Sequence, residues 1–378
     1  MSNRMLVDVL NPRDINTHCA ACGRSFARFP SDEEHIFPKW LQHHHDLWTR
    51  KLNVGNYTGK QYKSAKIKLC KRCNGTTYHA LETLLAPLLT SDDPFGAVSV
   101  IGDDILATWL GKIMWLLVSK SRSAIDYRTR DEAQPDSILS ADQVPGTLYL
   151  GMMQRAFATK KSMATCFLYE PRDPARLGRP FSLYRFKIDT EDERFETFDF
   201  SDSPSTLSLM FRSGNLGVVC IFDGGLHQRF QSGSYEYFAD QLLHPQQFAE
   251  LAARITYDQT VLDERACEVT YFWDEQLNSV IAMTRTPRFY YPYLQEHHDE
   301  ERLVDIISRL TLVDPSQILR PEGVITTLLG SDGKFAKFPV TEAELAVARS
   351  DPDVFMMGEL DADWRLTENG PQAKEGEE

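Results

Sequence analysis

The chain has 378 residues, of which 42% are hydrophobic and 25% charged, with a formal net charge of −13. That balance is globular and argues against wholesale disorder, and the length suggests two or three domains. The longest apolar stretch, Ile105 to Val118, is interrupted by Lys112 and is shorter than the ~20 residues a membrane span needs; the N-terminus lacks the apolar run of a signal peptide.

An evenly acidic chain would repel nucleic-acid phosphates, but the charge is unevenly spread. Residues 1–90 carry 13 Lys+Arg against 7 Asp+Glu, a net +6, and the remainder carries 28 against 47, a net −19. Between His35 and His79 there are nine basic residues and one acid, Asp46. A boundary is therefore expected near Ser91-Asp92-Asp93-Pro94. It separates a first domain, residues 1–94, from a larger acidic region, residues 95–365, and a solvated acidic tail, residues 366–378.

In chain order, Glu34-His35-Ile36-Phe37 reads as a short strand closed by Pro38, and Ser64 to Leu69 alternates as a second strand. A helix is predicted from Asn74 to Leu85 with Leu81, Leu84 and Leu85 as its apolar stripe. Asp103 to Lys120 is a second helix, with Trp109 and Trp115 on a core-facing stripe. Strand-like runs follow at Thr147–Gly151, Met163–Glu170, Phe181–Ile188, Arg194–Phe200, Thr206–Phe211 and Gly217–Phe222. Turn-forming residues separate them, which predicts a mainly antiparallel sheet. A helix at Pro245–Ile255, a hairpin at Cys267–Asp274 and Asn278–Thr284, and helices at Glu300–Leu312 and Glu342–Ser350 complete the ordered part. The fold class is α+β.

Seven cysteines on a chain without an export signal do not suggest a disulfide framework. Four of them form two pairs, Cys19-x2-Cys22 and Cys70-x2-Cys73. Each pair puts two thiolates on one tight turn, and together they make a tetrahedral zinc site with no open position, hence structural. The first ninety residues are too poor in core residues to fold on burial alone, so a metal would hold them together. His18 is a spare ligand or a surface residue, and surface exposure is also expected for His43-His44-His45. Cys166, Cys220 and Cys267 lie in apolar, strand-like contexts and read as core.

Cys19-Ala20-Ala21-Cys22, the run Glu34-His35-Ile36-Phe37-Pro38-Lys39-Trp40-Leu41, and Cys70-Lys71-Arg72-Cys73-Asn74 together resemble the HNH, or ββα-metal, family of nucleases. The resemblance covers about residues 17–90, and lies with the subgroup in which two zinc knuckles flank the motif and an Asn follows the last Cys. It implies His35 as the general base, since a neutral imidazole can take a water's proton near neutral pH. It implies Glu34 and Asn74 as oxygen ligands of a catalytic Mg²⁺ or Mn²⁺. Asn74 is equally suited to cap the helix it begins. Neighbouring strand residues point to opposite faces, so Glu34 is expected to reach the cation from a twisted or bulged strand end. His79 matches a second metal-binding His that many members carry on this helix, although a spacing of five turns it away from Asn74. Lys39, Lys66, Lys68, Lys71 and Arg72 would position a DNA backbone without reading sequence.

Nothing after residue 95 carries a catalytic signature. Three readings follow. The chain is a metal-dependent DNA endonuclease leaving a 5′-phosphate and a 3′-hydroxyl, in the manner of a bacterial antiphage or restriction effector. Alternatively, that nuclease acts only when the acidic region binds a second messenger or protein. From another class, it is a zinc-stabilised DNA-binding module without catalysis. One module cuts one strand, so a homodimer or higher oligomer would serve double-strand cleavage. A cytoplasmic location and no membrane partner are expected, and the acidic region is expected to restrain the basic module.

Overall fold

The computed structural model describes residues 14–54, 57–121, 148–167, 178–260, 268–285, 299–320, 323–330, 333–336, 357–360, 366–367 and 370–371. The predicted helix at Glu342–Ser350, the acidic tail apart from two short paired segments, and Cys267 lie outside the described residues.

Strand β1 (Ser31–His35) is followed by helix α1 (Lys39–His44), and the hairpin β2 (Lys51–Val54) and β3 (Tyr57–Gln61) leads to β4 (Lys66–Cys70). β1 pairs antiparallel with β4, with Glu34 opposite Ile67 and His35 opposite Lys66. The strand stops two residues earlier than its apolar pattern predicts. Ile36 and Phe37 leave the ladder and are fully buried, and Pro38 turns the chain into α1. After β4 a six-residue π-helical segment, Cys73–Tyr78, runs directly into helix α2 (His79–Leu89). Leu81, Leu85 and Leu89 form its buried face, whereas Leu84 is exposed. Two strands followed by a helix are thus observed.

The short helix α3 (Pro94–Val98) leads to α4 (Asp103–Ser121), which is buried almost along its whole length. Helix α5 (Leu148–Ala158) covers most of the stretch read as a strand at Thr147–Gly151. Its apolar residues Leu150, Met153 and Ala156 are buried at helical spacing, a pattern that becomes legible only over a window longer than five residues. Strand β5 (Ser162–Phe167) comes next, then β6 (Ser182–Ile188), β7 (Phe198–Ser203), β8 (Ser208–Ser213) and β9 (Leu216–Ile221). A helix that the sequence pattern does not reveal, α6 (Leu226–Ala239), follows the Asp223-Gly224-Gly225 turn. The two-residue β10 (Leu242–Leu243) and helix α7 (Pro245–Thr260) precede the hairpin β11 (Glu268–Asp274) and β12 (Ser279–Arg285), and helix α8 (Glu300–Thr311) packs on α7.

The larger sheet has the order β10-β6-β9-β8-β7, antiparallel except for β10. A three-stranded sheet, β11-β12-β5, is mixed because β5 lies parallel to β12. The molecule is therefore α+β with antiparallel and mixed sheets. Alternation along β9 places Leu216, Val218 and Cys220 in the core shared with α4, and Val219 and Ile221 against α7. That first core is continuous from Cys19 through Ile36, Phe37, Leu85 and Trp109 to Phe211. Across Ser91–Pro94, Trp40 stacks on Trp109 at 5.9 Å and Phe37 meets Phe200 edge-on at 4.8 Å. No helix among the described residues is long and apolar enough to cross a membrane.

Candidate functional site

The four cysteines of the two CxxC turns come together. Their sulfurs lie within 4.8 Å of one another, and none is in a disulfide. Cys22 Sγ and Cys70 Sγ are 3.6 Å apart, close to the ~3.8 Å edge of a tetrahedron built on Zn–S bonds of about 2.3 Å. The first knuckle is closed by two backbone bonds, Cys19 N–H to Arg24 O at 2.9 Å and Gly23 N–H to Cys19 O at 2.8 Å. Gly23 has φ +69°, a left-handed conformation that favours glycine at this turn, and a Cβ there would also displace the Arg155 guanidinium. The second knuckle ends β4 and opens the π-helical segment, and Trp115 of α4 donates its indole N–H to Ala20 O at 2.9 Å. These residues can hold a metal ion, and four thiolates without an open position suit a structural zinc. His18 stands outside the set, with Nδ1 2.9 Å from Thr17 Oγ1.

The strand register separates Glu34 from His35. Residues opposite each other in an antiparallel pair share a face. Glu34 lies with Ile67 on the inner face, and His35 lies with Lys66 on the outer one. β1 runs in regular register over all five residues, without a bulge that would bring the two side chains together.

On the inner face the Glu34 carboxylate is ion-paired with Lys112 of α4, whose ammonium also pairs with Glu82 of α2. Lys112 is fully buried, and its ammonium sits 5.2 Å from the centre of the Tyr78 ring. Tyr78, itself buried, donates to Gln154 Oε1 at 3.1 Å. Burial raises the Glu34 carboxyl above its ordinary range even though Lys112 opposes the shift, and His79 lies close enough to oppose it too. His79 is exposed at the start of α2, one turn from Glu82, and Asn74 is half-buried within the π-helical segment. The donor set expected for a catalytic divalent cation was Glu34 with Asn74. In this arrangement one Glu34 oxygen is engaged by an ammonium, so the residues do not fit that cation as they stand.

On the outer face His35 sits in a basic setting. Its pKa is lowered from the ordinary 6.5, first by burial and then by Lys66 and Lys39, so the ring is neutral at pH 7. Its Nε2 is buried and has no hydrogen-bond partner among the described residues. Trp48 packs against it at 5.6 Å, and His43 stacks on the same Trp48 at 5.0 Å. Lys39, Lys68, Lys71 and Arg72 are exposed, and Lys66 is half-exposed with its ammonium 3.3 Å from Glu33.

The histidine run divides. His43 and His44 are exposed, but His45, contrary to the expectation from sequence, is buried at 7% exposure. Its Nε2 lies 2.9 Å from Ser213 Oγ and its Nδ1 3.2 Å from Thr197 Oγ1. Ser213 donates its hydroxyl hydrogen to Leu89 O at 2.9 Å, so His45 Nε2 is the protonated nitrogen and Nδ1 accepts from Thr197. Beside it Arg50 is ion-paired with Glu196. Sequence reasoning also missed Lys112 and Glu82. The signal for Lys112 was present as a lone cation inside an apolar helix, which requires a buried partner.

No family model, curated protein or solved structure matches the chain.

Proposed function

We propose that the chain is a DNA phosphodiester hydrolase of the HNH type in which His35 activates the attacking water. The observation that carries this reading is the neutral, half-buried His35 on the basic face of β1, whose partner strand β4 leads through the second cysteine knuckle into a helix. A neutral imidazole can take the proton of a water near neutral pH. Lys66 and Lys68 on the same face, with Lys39 nearby, supply positive charge where a phosphodiester would sit. In the reaction His35 takes a proton from the water, the water oxygen bonds to phosphorus, and the bond to the 3′ oxygen breaks. That oxygen leaves protonated by solvent, giving a 3′-hydroxyl and a 5′-phosphate.

A catalytic Mg²⁺ or Mn²⁺ belongs to the same reading only where Lys112 has withdrawn from Glu34; Glu34 and Asn74 would then hold it, with His79 as a further candidate. When bound it would supply Lewis acidity at the phosphate. The pairing of Glu34 with Lys112 favours a conditional version, in which the nuclease works only after a rearrangement triggered by a ligand or partner of the acidic region. An antiphage or restriction role and a cytoplasmic setting fit such a device.

The test is nicking of supercoiled plasmid by the full chain with Mg²⁺ or Mn²⁺, alongside DNA binding. His35→Ala is expected to keep DNA binding and to lose roughly a hundredfold or more in nicking rate, the usual share of a general base. An unchanged rate would sink the mechanism. Binding without cutting under any divalent metal or added activator would establish the non-catalytic module.

A further inference from the structure

The geometry points to Lys112 as a built-in cation that occupies the carboxylates of Glu34 and Glu82 and thereby keeps a divalent metal off Glu34. This deepens the nuclease reading and rests on it for the metal's catalytic role, but the exclusion itself stands on the contacts alone.

Three elements distant in sequence meet at one ammonium. Glu34 comes from β1, Glu82 from α2 and Lys112 from α4. Lys112 is fully buried, and the Glu34 and Glu82 side chains are only 14% and 16% exposed. A buried cation persists only where it is paired, and here it is paired twice. The Tyr78 ring, 5.2 Å from the ammonium, adds a third favourable contact for a cation at this point. With both carboxylates ionised the group holds two negative charges against one positive charge. It is therefore a place that favours a cation, and the lysine is the cation it holds.

A divalent ion bound to Glu34 beside the ammonium would meet strong like-charge repulsion with little water to screen it. Metal and lysine are therefore alternatives at this carboxylate. Loading the metal requires the α4 ammonium to withdraw, which couples the module's chemistry to the placement of a helix in the core that the module shares with the acidic region. In these terms the acidic region restrains the module through one side chain and not through its overall charge.

The experiment is Mn²⁺ binding to the full chain with its cysteine site loaded, followed by the electron paramagnetic resonance signal of free Mn²⁺. The unaltered chain and Glu34→Gln are expected to bind Mn²⁺ equally. Lys112→Met is expected to gain a site with affinity on the order of a hundredfold higher, as the removal of a buried charge at close range allows, and Lys112→Met with Glu34→Gln to lose it. Lys112→Gln, which keeps a hydrogen-bond donor of similar reach, provides the same comparison if the methionine variant does not fold. Glu34-dependent Mn²⁺ binding in the unaltered chain overturns the inference, as does a folded Lys112 variant that gains no site. Plasmid nicking measured in parallel separates the two claims. A gained site with no nicking keeps the inference and sinks the nuclease reading. Nicking by the unaltered chain that depends on His35 and on Glu34-bound metal does the reverse.

Discussion

His35 and His45 lie ten residues apart, and the fold uses them differently. His35 stands on a basic strand face, and its buried Nε2 has no partner among the described residues. Both nitrogens of His45 are engaged, so it acts as a tie between the module and the sheet. Burial pushes the His45 pKa down to about 4 from the ordinary 6.5. A depressed histidine contributes stability that is complete above pH 6.5 and fades as the pH falls toward 4. The unaltered chain is thus expected to lose about 2 kcal/mol between pH 7 and pH 5 from this residue. Denaturant melts of His45→Gln should show a loss smaller by about that amount, and an identical pH dependence would refute the assignment. The sequence shows three adjacent histidines and cannot say which one the sheet will cover. Glu34 is a similar case. Its motif is plain, but its partner Lys112 is 78 residues away, and only the approach of α4 brings them together.

At the level of elements, the signals tied to covalent geometry were the readable ones. Two CxxC spacings demanded one site, and the four sulfurs meet. The long helix was readable from its apolar period and is found at Asp103–Ser121. Elements whose identity depends on neighbours were not. The stretch at Thr147–Gly151 has the composition of a strand, but α5 forms because its longer apolar face packs beside α4. Helix α6 is polar through most of its length and starts after two glycines, so its pattern is weak. Its N-terminus is satisfied by Asp223, which accepts from Gly225 N at 2.9 Å and from His227 N at 2.6 Å. The cysteine site joins the end of β4 to the start of a helix, so metal removal should release both. Purified chain is expected to carry one zinc per molecule, and Cys73→Ser to lose it. Thermal melts should then fall by roughly 10 °C, at a few degrees per kcal/mol for a chain of this size. Zinc-free protein with an unaltered melting point would contradict this role.

For the molecule as a whole, the contrast between a +6 first quarter and a −19 remainder suggested two separable parts. The packing joins them. Trp40 stacks on Trp109, Trp115 bonds to Ala20, and Glu34 and Glu82 surround Lys112. A fragment of residues 1–94 would expose the apolar faces of Ile36, Phe37, Leu85 and Leu89 and leave two buried carboxylates without their cation. It is expected to lack a cooperative melt even when loaded with zinc, as followed by circular dichroism. A sharply melting, soluble fragment would show that the module folds independently.

The proposed role of His35 as the base of a phosphodiester hydrolase is tested most directly by the pH dependence of plasmid nicking. A base must be neutral to act, and burial together with Lys66 and Lys39 holds His35 below 6.5. In the Lys112→Met chain, where the ammonium no longer occupies Glu34, the rate is expected to rise with pH to a plateau, with the midpoint of the rise below pH 6.5, and His35→Ala in that background is expected to lose this limb. A profile that is the same in both proteins would contradict that role.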